Sequence, residues 1–249
     1  LLTLFLGGVS AYLVSFYEFV GVNFFKYSLL MSFAIPPYIY AYTLSAFFEN
    51  FGIAYSLVSF FSEDLSKTLI PKIEPLSGSI ISLSLTLFGY VFILTRSTFL
   101  NQSRDLIEVG KSLGFNNIDT FLKIIIPTAR PAIFIGLSLV AMETLSDFGT
   151  VSFFGVSTYT TGIYNSWFIF DDLKTANFLS LFLIFFILFF FGLESISRKN
   201  IKFFNSNNSF NKKNKKVLLS GYKGFFAFFF CFFLSVSYTH LRAHETKSY

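Results

Sequence analysis

The chain has 249 residues, of which 53% are hydrophobic and only 13% charged, and Phe alone occurs 39 times. A soluble domain carries roughly 25% charged residues, so this much apolar surface points to a bilayer, where lipid-facing side chains need no protein cover. The net charge of +5 lies in loops between apolar blocks, a topology signal rather than a nucleic-acid surface. The single Cys231 excludes an intramolecular disulfide framework, and neither His240 nor His244 belongs to a cluster with metal-ligand spacing.

A helix needs about 20 apolar residues to cross the hydrocarbon layer. In chain order the stretches that approach this length are 1–16, 27–48, 78–98, 131–150, 177–195 and 218–235. The expected fold is an all-α polytopic membrane protein with about six spans in this stretch of sequence. Pro36-Pro37 inside the second stretch predicts a kink, tolerated where neighbouring helices satisfy the freed carbonyls. Pro131 is expected at a helix start, where its missing N–H costs nothing. Segment 198–216 is rich in Asn, Ser and Lys, and reads as a basic, flexible cytoplasmic linker. The chain opens Leu1-Leu2-Thr3 without an initiator Met, which leads us to expect a fragment. Residues 236–249, containing Tyr238-Thr239-His240-Leu241-Arg242-Ala243-His244, resemble translated adapter sequence and are set apart as a non-native scar.

Loop charges orient the spans. Loops 17–26, 99–130 and 196–217 share one side, and with Arg96 at a span edge they hold thirteen Lys and Arg. Loops 49–77 and 151–176, on the other side, hold only Lys67, Lys72 and Lys174, so the first set is cytoplasmic.

The cytoplasmic loop at 104–130 is patterned. Residues 104–113 fit a short helix with Leu106, Val109 and Leu113 on one face, and Gly114 supplies a break where φ turns positive. Asn117 or Asp119 fits as cap of a second short helix, with Phe121, Leu122, Ile124 and Ile125 as an apolar docking surface. Pro127 and Pro131 are expected to end it. By physics alone the segment is either a docking element or an interfacial amphipathic hairpin. Gly110-Lys111-Ser112 imitates the end of a phosphate-binding loop, but that motif needs glycine where Asp105 stands, so the chain is not expected to bind ATP.

Glu108-Val109-Gly110, three residues, Gly114, nine residues and Ile124-Ile125-Ile126-Pro127 resemble the E-A-A, three residues, G, nine residues, I-x-L-P signature of ABC importer permeases, the binding-protein-dependent type I importers. Val109 and Gly110 replace the alanines, and Ile126 replaces the leucine. The resemblance implies a coupling helix–turn–helix seated in a cleft of a separate cytoplasmic ATPase. It assigns coupling to Glu108, Val109, Gly110, Gly114, Ile124, Ile126 and Pro127.

Glu143 and Asp147 are expected inside the fourth span, four residues apart and on one helix face. Intramembrane carboxylates are costly and face a bundle interior or a water-filled cavity. The two readings are a translocation path lined by both acids, or a protonated Glu143 bonded to a neighbouring helix with Asp147 at the outer interface. No metal site is claimed. In the outer segment 151–176, Trp167 reads as an interfacial anchor, and Tyr159, Tyr164 and Asp171-Asp172 as candidates for meeting a binding protein.

Ala34-Ile35-Pro36-Pro37-Tyr38, Met142–Val151 and Thr160-Thr161-Gly162-Ile163-Tyr164 are similar to ferric-iron importer permeases. The resemblance implies a first permease transmembrane domain at 1–197, and the first span of a second half at 217–235. It further implies cytoplasmic ABC ATPase subunits, a periplasmic substrate-binding protein and a second permease half as partners, in a bacterial inner membrane. The chain is then a transport subunit and not an enzyme, with no bound cofactor. The same machinery serves thiamine, phosphonate or polyamine in related permeases. From other classes, an ion-coupled secondary transporter using Glu143 and Asp147 and a membrane scaffold remain as alternatives.

Overall fold

The computed structural model describes residues 1–49, 52–60, 73–101, 110, 112–199, 217–219 and 221–245. Its elements in order are α1 (Leu2–Phe16), β1 (Tyr17–Glu18), α2 (Val22–Ser28), a 3-10 segment (Leu29–Ala34), α3 (Pro37–Phe48) and α4 (Ile53–Ser59). Then come α5 (Pro75–Asn101), α6 (Asn117–Thr120), a π-helical turn (Phe121–Ile125), α7 (Ile126–Ser146), α8 (Gly149–Phe153) and α9 (Tyr159–Tyr164). A second π turn (Asn165–Ile169), α10 (Leu173–Lys199), β2 (Val217–Leu218) and α11 (Tyr222–Glu245) complete the order.

Among the described residues three helices are long and apolar enough to cross a membrane: Pro75–Leu100, Phe121–Ser146 and Leu173–Leu193. Leu2–Phe16 and Tyr222–Ser237 are apolar but shorter. The stretch expected as a second span is broken rather than kinked. The 3-10 segment ends at Ala34, Ile35 turns extended (φ −116, ψ 118), and α3 restarts at Pro37. The ring of a proline disfavours helical backbone in the residue before it, and two prolines in succession impose that twice. Three of the six expected spans are thus long helices, and the other three are shorter or interrupted.

The core is organised around α5, where Phe88, Val91 and Phe92 are fully buried. Helices approach closely only where one side chain is small. A Cβ on Gly7 of α1 would lie 2.8 Å from both the Phe88 carbonyl oxygen and Val91 Cβ, and one on Gly136 of α7 would lie 3.0 Å from Val91 Cα. Val91 is therefore clamped between glycines of two neighbouring helices. Gly7→Val is expected to destabilise the chain by about 1–3 kcal/mol, the range for overpacking. Gly8→Val is its control, because a Cβ there meets nothing within 4 Å. Thermal aggregation in detergent measures the difference between the two.

Several buried hydroxyls close their bonds within their own helices, which suits an apolar surrounding. Ser10 donates to Leu6 O (2.7 Å), Thr86 to Ser82 O (2.9 Å) and Ser138 to Phe134 O (2.9 Å). The opposite extreme is α10, whose apolar window is only 6% buried, with Phe178, Leu181, Phe185 and Leu188 more than half exposed. Its Phe-rich surface faces lipid or another polypeptide. Asp172 caps its start, and donation from the Thr175 hydroxyl and from the Thr175 and Lys174 amides holds the Asp172 carboxyl below the usual carboxylate range.

The loops gather at two ends. At one, Tyr12 meets Phe121 with ring centroids 4.2 Å apart, and Phe16 meets Phe99 at 5.3 Å. At this end β1 also pairs with β2 in parallel, Tyr17 opposite Val217, and Leu219 N donates to Glu18 O. At the other end, Tyr42 meets Phe153 at 5.9 Å, and a Cβ on Gly149 would lie 2.8 Å from Tyr38 Cβ. Described residues from loops 17–26 and 99–130 and the end of 196–217 thus lie at the first of these ends. Helix α10 runs to Lys199, and residues 200–216 of the expected linker lie outside the described residues. α11 continues through position 236 to Glu245. Its Ala227, Cys231 and Leu234 are fully buried, and Phe228 packs on Phe25 of α2.

Candidate functional site

Glu108 and Val109 fall outside the described residues, and the loop is visible from Gly110 onward. Gly110 is helical and buried, and a Cβ there would lie 2.5 Å from both Cγ2 and Oγ1 of Thr120. The bond from Phe115 N to Gly110 O (2.9 Å) closes the helix end, and Gly114 turns the chain at φ +77. That combination, a 6→1 bond around a left-handed glycine, is how helices terminate. Among the described residues a Cβ on Gly114 would touch nothing within 4 Å.

The cap of the following helix is Asn116, not Asn117 or Asp119 as expected. Asp119 N donates to Asn116 Oδ1 at 2.7 Å, while Asp119 itself pairs with Lys123 at 3.0 Å. An Asn three residues before an acidic residue is the pattern that would have found it. The docking face also differs from the expected one. Phe121 turns inward onto Tyr12 and Ile125 is buried at 4% exposure, whereas Leu122 (53%) and Leu113 (61%) face out. Ile124, Ile126 and Pro127 are half-buried.

Neither proline ends this helix. The chain passes from α6 through the π turn into α7 without a break, with Pro131 well inside it. In the π turn Ile126 N bonds back to Phe121 O, five residues earlier, which makes room ahead of Pro127. The Thr128 hydroxyl donates to the Ile124 and Ile125 carbonyls at 2.9 and 2.8 Å, engaging acceptors next to the missing Pro127 N–H.

At the opposite end of α7, Glu143 and Asp147 do not share a helix face, because α7 stops at Ser146 and Asp147 is extended (φ −66, ψ 128). The Asp147 carboxylate caps α8, accepting from Thr150 N (3.1 Å), Thr150 Oγ1 (3.1 Å) and Val151 N (3.2 Å). Its carbonyl accepts from Thr160 Oγ1 at 2.7 Å, tying the start of α9 to the end of α7. Glu143 instead stays on the helix, exposed, with the Tyr90 hydroxyl of α5 donating to Oε1 at 3.3 Å. Nothing in the sequence marks Tyr90 as its partner, since 53 positions separate them. Among the described residues no three His, Cys, Asp or Glu side chains come together.

Residues 4–202 match the model of a family described as binding-protein-dependent transport system inner membrane components. The chain is 27% identical over 175 residues to the Fe(3+)-transport system permease protein of Haemophilus influenzae, covering 70% of this chain and 30% of that protein. It is 26% identical over 145 residues to the probable sulfate transport system permease protein of Chlorella vulgaris, covering 58% of this chain and 52% of that one. With the sulfate transport system permease protein of Escherichia coli the identity is 24% over 147 residues, 59% of this chain and 50% of that one. The chain spans between 30% and 52% of the length of these relatives.

Proposed function

Because the chain belongs to the family of binding-protein-dependent transport system inner membrane components, we propose that it is a membrane-spanning permease subunit of an ATP-driven importer, carrying ferric iron inward. The observation that carries the reading is the turn at 110–120, where a glycine packs on Thr120 and a second glycine reverses the chain at φ +77. Such a turn presents Leu113 and Leu122 from the basic end of the bundle to a cytoplasmic ATPase, which hydrolyses ATP on the importer's behalf. A periplasmic binding protein delivers cargo to the other end. In this reading the chain crosses the bilayer six times, counting α1, the interrupted 22–48 segment and α11 with the three long helices, and α11 opens a second permease half. The setting is a bacterial inner membrane.

Ferric iron is favoured by the exposed Glu143, since a carboxylate oxygen suits a hard cation and repels an anion. Sulfate is the second reading, carried by the sulfate permeases among the relatives. Two measurements test the proposal. A reporter fused after Gly114 is expected to read as cytoplasmic and one near Asp171 as periplasmic; the reverse overturns the orientation. Vesicles supplied with ATP, the binding protein and either radiolabelled ferric iron or sulfate are expected to accumulate iron. Uptake that collapses when the ion gradient is dissipated, with ATP present, identifies an ion-coupled carrier instead.

A further inference from the structure

Where the end of α1, β1 and the first turns of α11 meet, a groove of about 620 Å³ opens to the outside of the bundle. That volume lies within the ~300–1,000 Å³ of single-ligand sites. Its walls are apolar and aromatic, among them Leu13, Tyr17, Phe225, Phe226 and Phe229, and among the described residues Lys223 is its one charged lining residue. Phe225 and Phe226 are each 68% exposed, so the packed helices leave them uncovered. The groove sits at the basic end of the bundle, where α11 enters its apolar stretch. At that depth one end of a ligand is in hydrocarbon and the other among headgroups.

We propose that this groove binds an anionic phospholipid of the cytoplasmic leaflet, with an acyl chain along the Phe residues of α11 and the phosphate at Lys223. Charge complementarity selects the occupant. Lys223 is exposed with its ammonium 5.8 Å from the Tyr222 ring centroid, a long side chain reaching the interface from an apolar helix. Glu18 does not oppose it, because successive side chains on a strand point to opposite faces and Tyr17 is the one that lines the groove. Tyr12 and Tyr17 bond through their hydroxyls at 2.9 Å, so one donates to the other and the acceptor keeps its own proton for a phosphate oxygen. A lipid seated there spans α1 and α11, elements from opposite ends of the sequence that the two-residue β1–β2 pair also joins.

The test uses the full-length chain in bilayers containing phosphatidylglycerol or phosphatidylcholine, each with a photoactivatable diazirine on its acyl chain. Phosphatidylglycerol is expected to label residues 222–229 about fivefold more than phosphatidylcholine, the factor corresponding to one lysine near an anionic surface. Lys223→Gln removes that preference and Lys223→Arg keeps it. Equal labelling by the two lipids in the unaltered chain overturns the proposal in favour of ordinary surrounding lipid. Absence of label from 222–229 overturns it in favour of a protein segment covering the groove.

Discussion

Gly110→Leu is expected to leave the chain in the membrane at normal abundance, while ATP-dependent uptake and co-purification of the ATPase fall about tenfold or more. The reason is local. Thr120 stands 2.5 Å from where the new Cβ would sit, is 3% exposed, and is held by its hydroxyl bond to Asn116 O at 2.9 Å. It cannot swing aside without giving up that bond inside a closed contact. Overpacking of this kind costs about 1–3 kcal/mol, and about 1.4 kcal/mol is a tenfold loss of the competent conformation. The spans pack elsewhere, around Val91, so insertion is spared. Gly110→Ala combined with Thr120→Gly moves the small residue across the contact and is expected to recover much of the loss, a coupling that a double-mutant cycle measures. Gly114→Val acts by a different route. No atom of the described residues opposes its side chain, so the penalty of about 1–2 kcal/mol is that of a β-branched residue held at φ +77. Unchanged uptake and unchanged ATPase recruitment in both Gly110→Leu and Gly114→Val would remove this turn from the coupling mechanism.

The second large effect separates two acids that look alike in the sequence. Glu143→Gln is expected to lower ferric-iron uptake at least severalfold with no change in melting temperature. The substitution keeps size and hydrogen-bonding capacity, including an acceptor for Tyr90, and removes the negative charge. Asp147→Ala is expected to do the opposite, since it strips three hydrogen bonds from the start of α8. Loss of a capping acceptor at a helix start costs about 0.5–2 kcal/mol, and α8 and α9 both hang on this corner through Thr150 and Thr160. Asp147→Asn retains an acceptor oxygen and is expected to be much milder than the alanine. Uptake and melting temperature measured on the same preparations distinguish the two roles. A silent Glu143→Gln would take the carboxylate out of the path and leave the glycine turn as the functional site.

By itself the sequence determined the helical membrane class and the position of the glycine turn. These are properties of one segment at a time. An apolar block partitions into lipid on its own, and a glycine at Gly114 permits a positive φ whatever surrounds it. Tertiary structure decided the rest, because each remaining feature depends on a partner remote in sequence or on how backbone hydrogen bonds close. Phe121 and Ile125 turned inward because Tyr12 and the core offer them apolar contacts, leaving Leu113 and Leu122 outside. The helix passed through Pro127 because a π turn ahead of it relieved the ring, whereas Pro36-Pro37 broke the chain. Asp147 left the face of Glu143 when α7 ended one residue before it and the free amides of α8 claimed its carboxylate. Tyr90 met Glu143, and β1 met β2 across nearly the whole sequence, only once the helices had packed. An unpaired polar group in an apolar layer costs several kcal/mol, so the search for hydrogen-bond partners overrides local propensity at these positions.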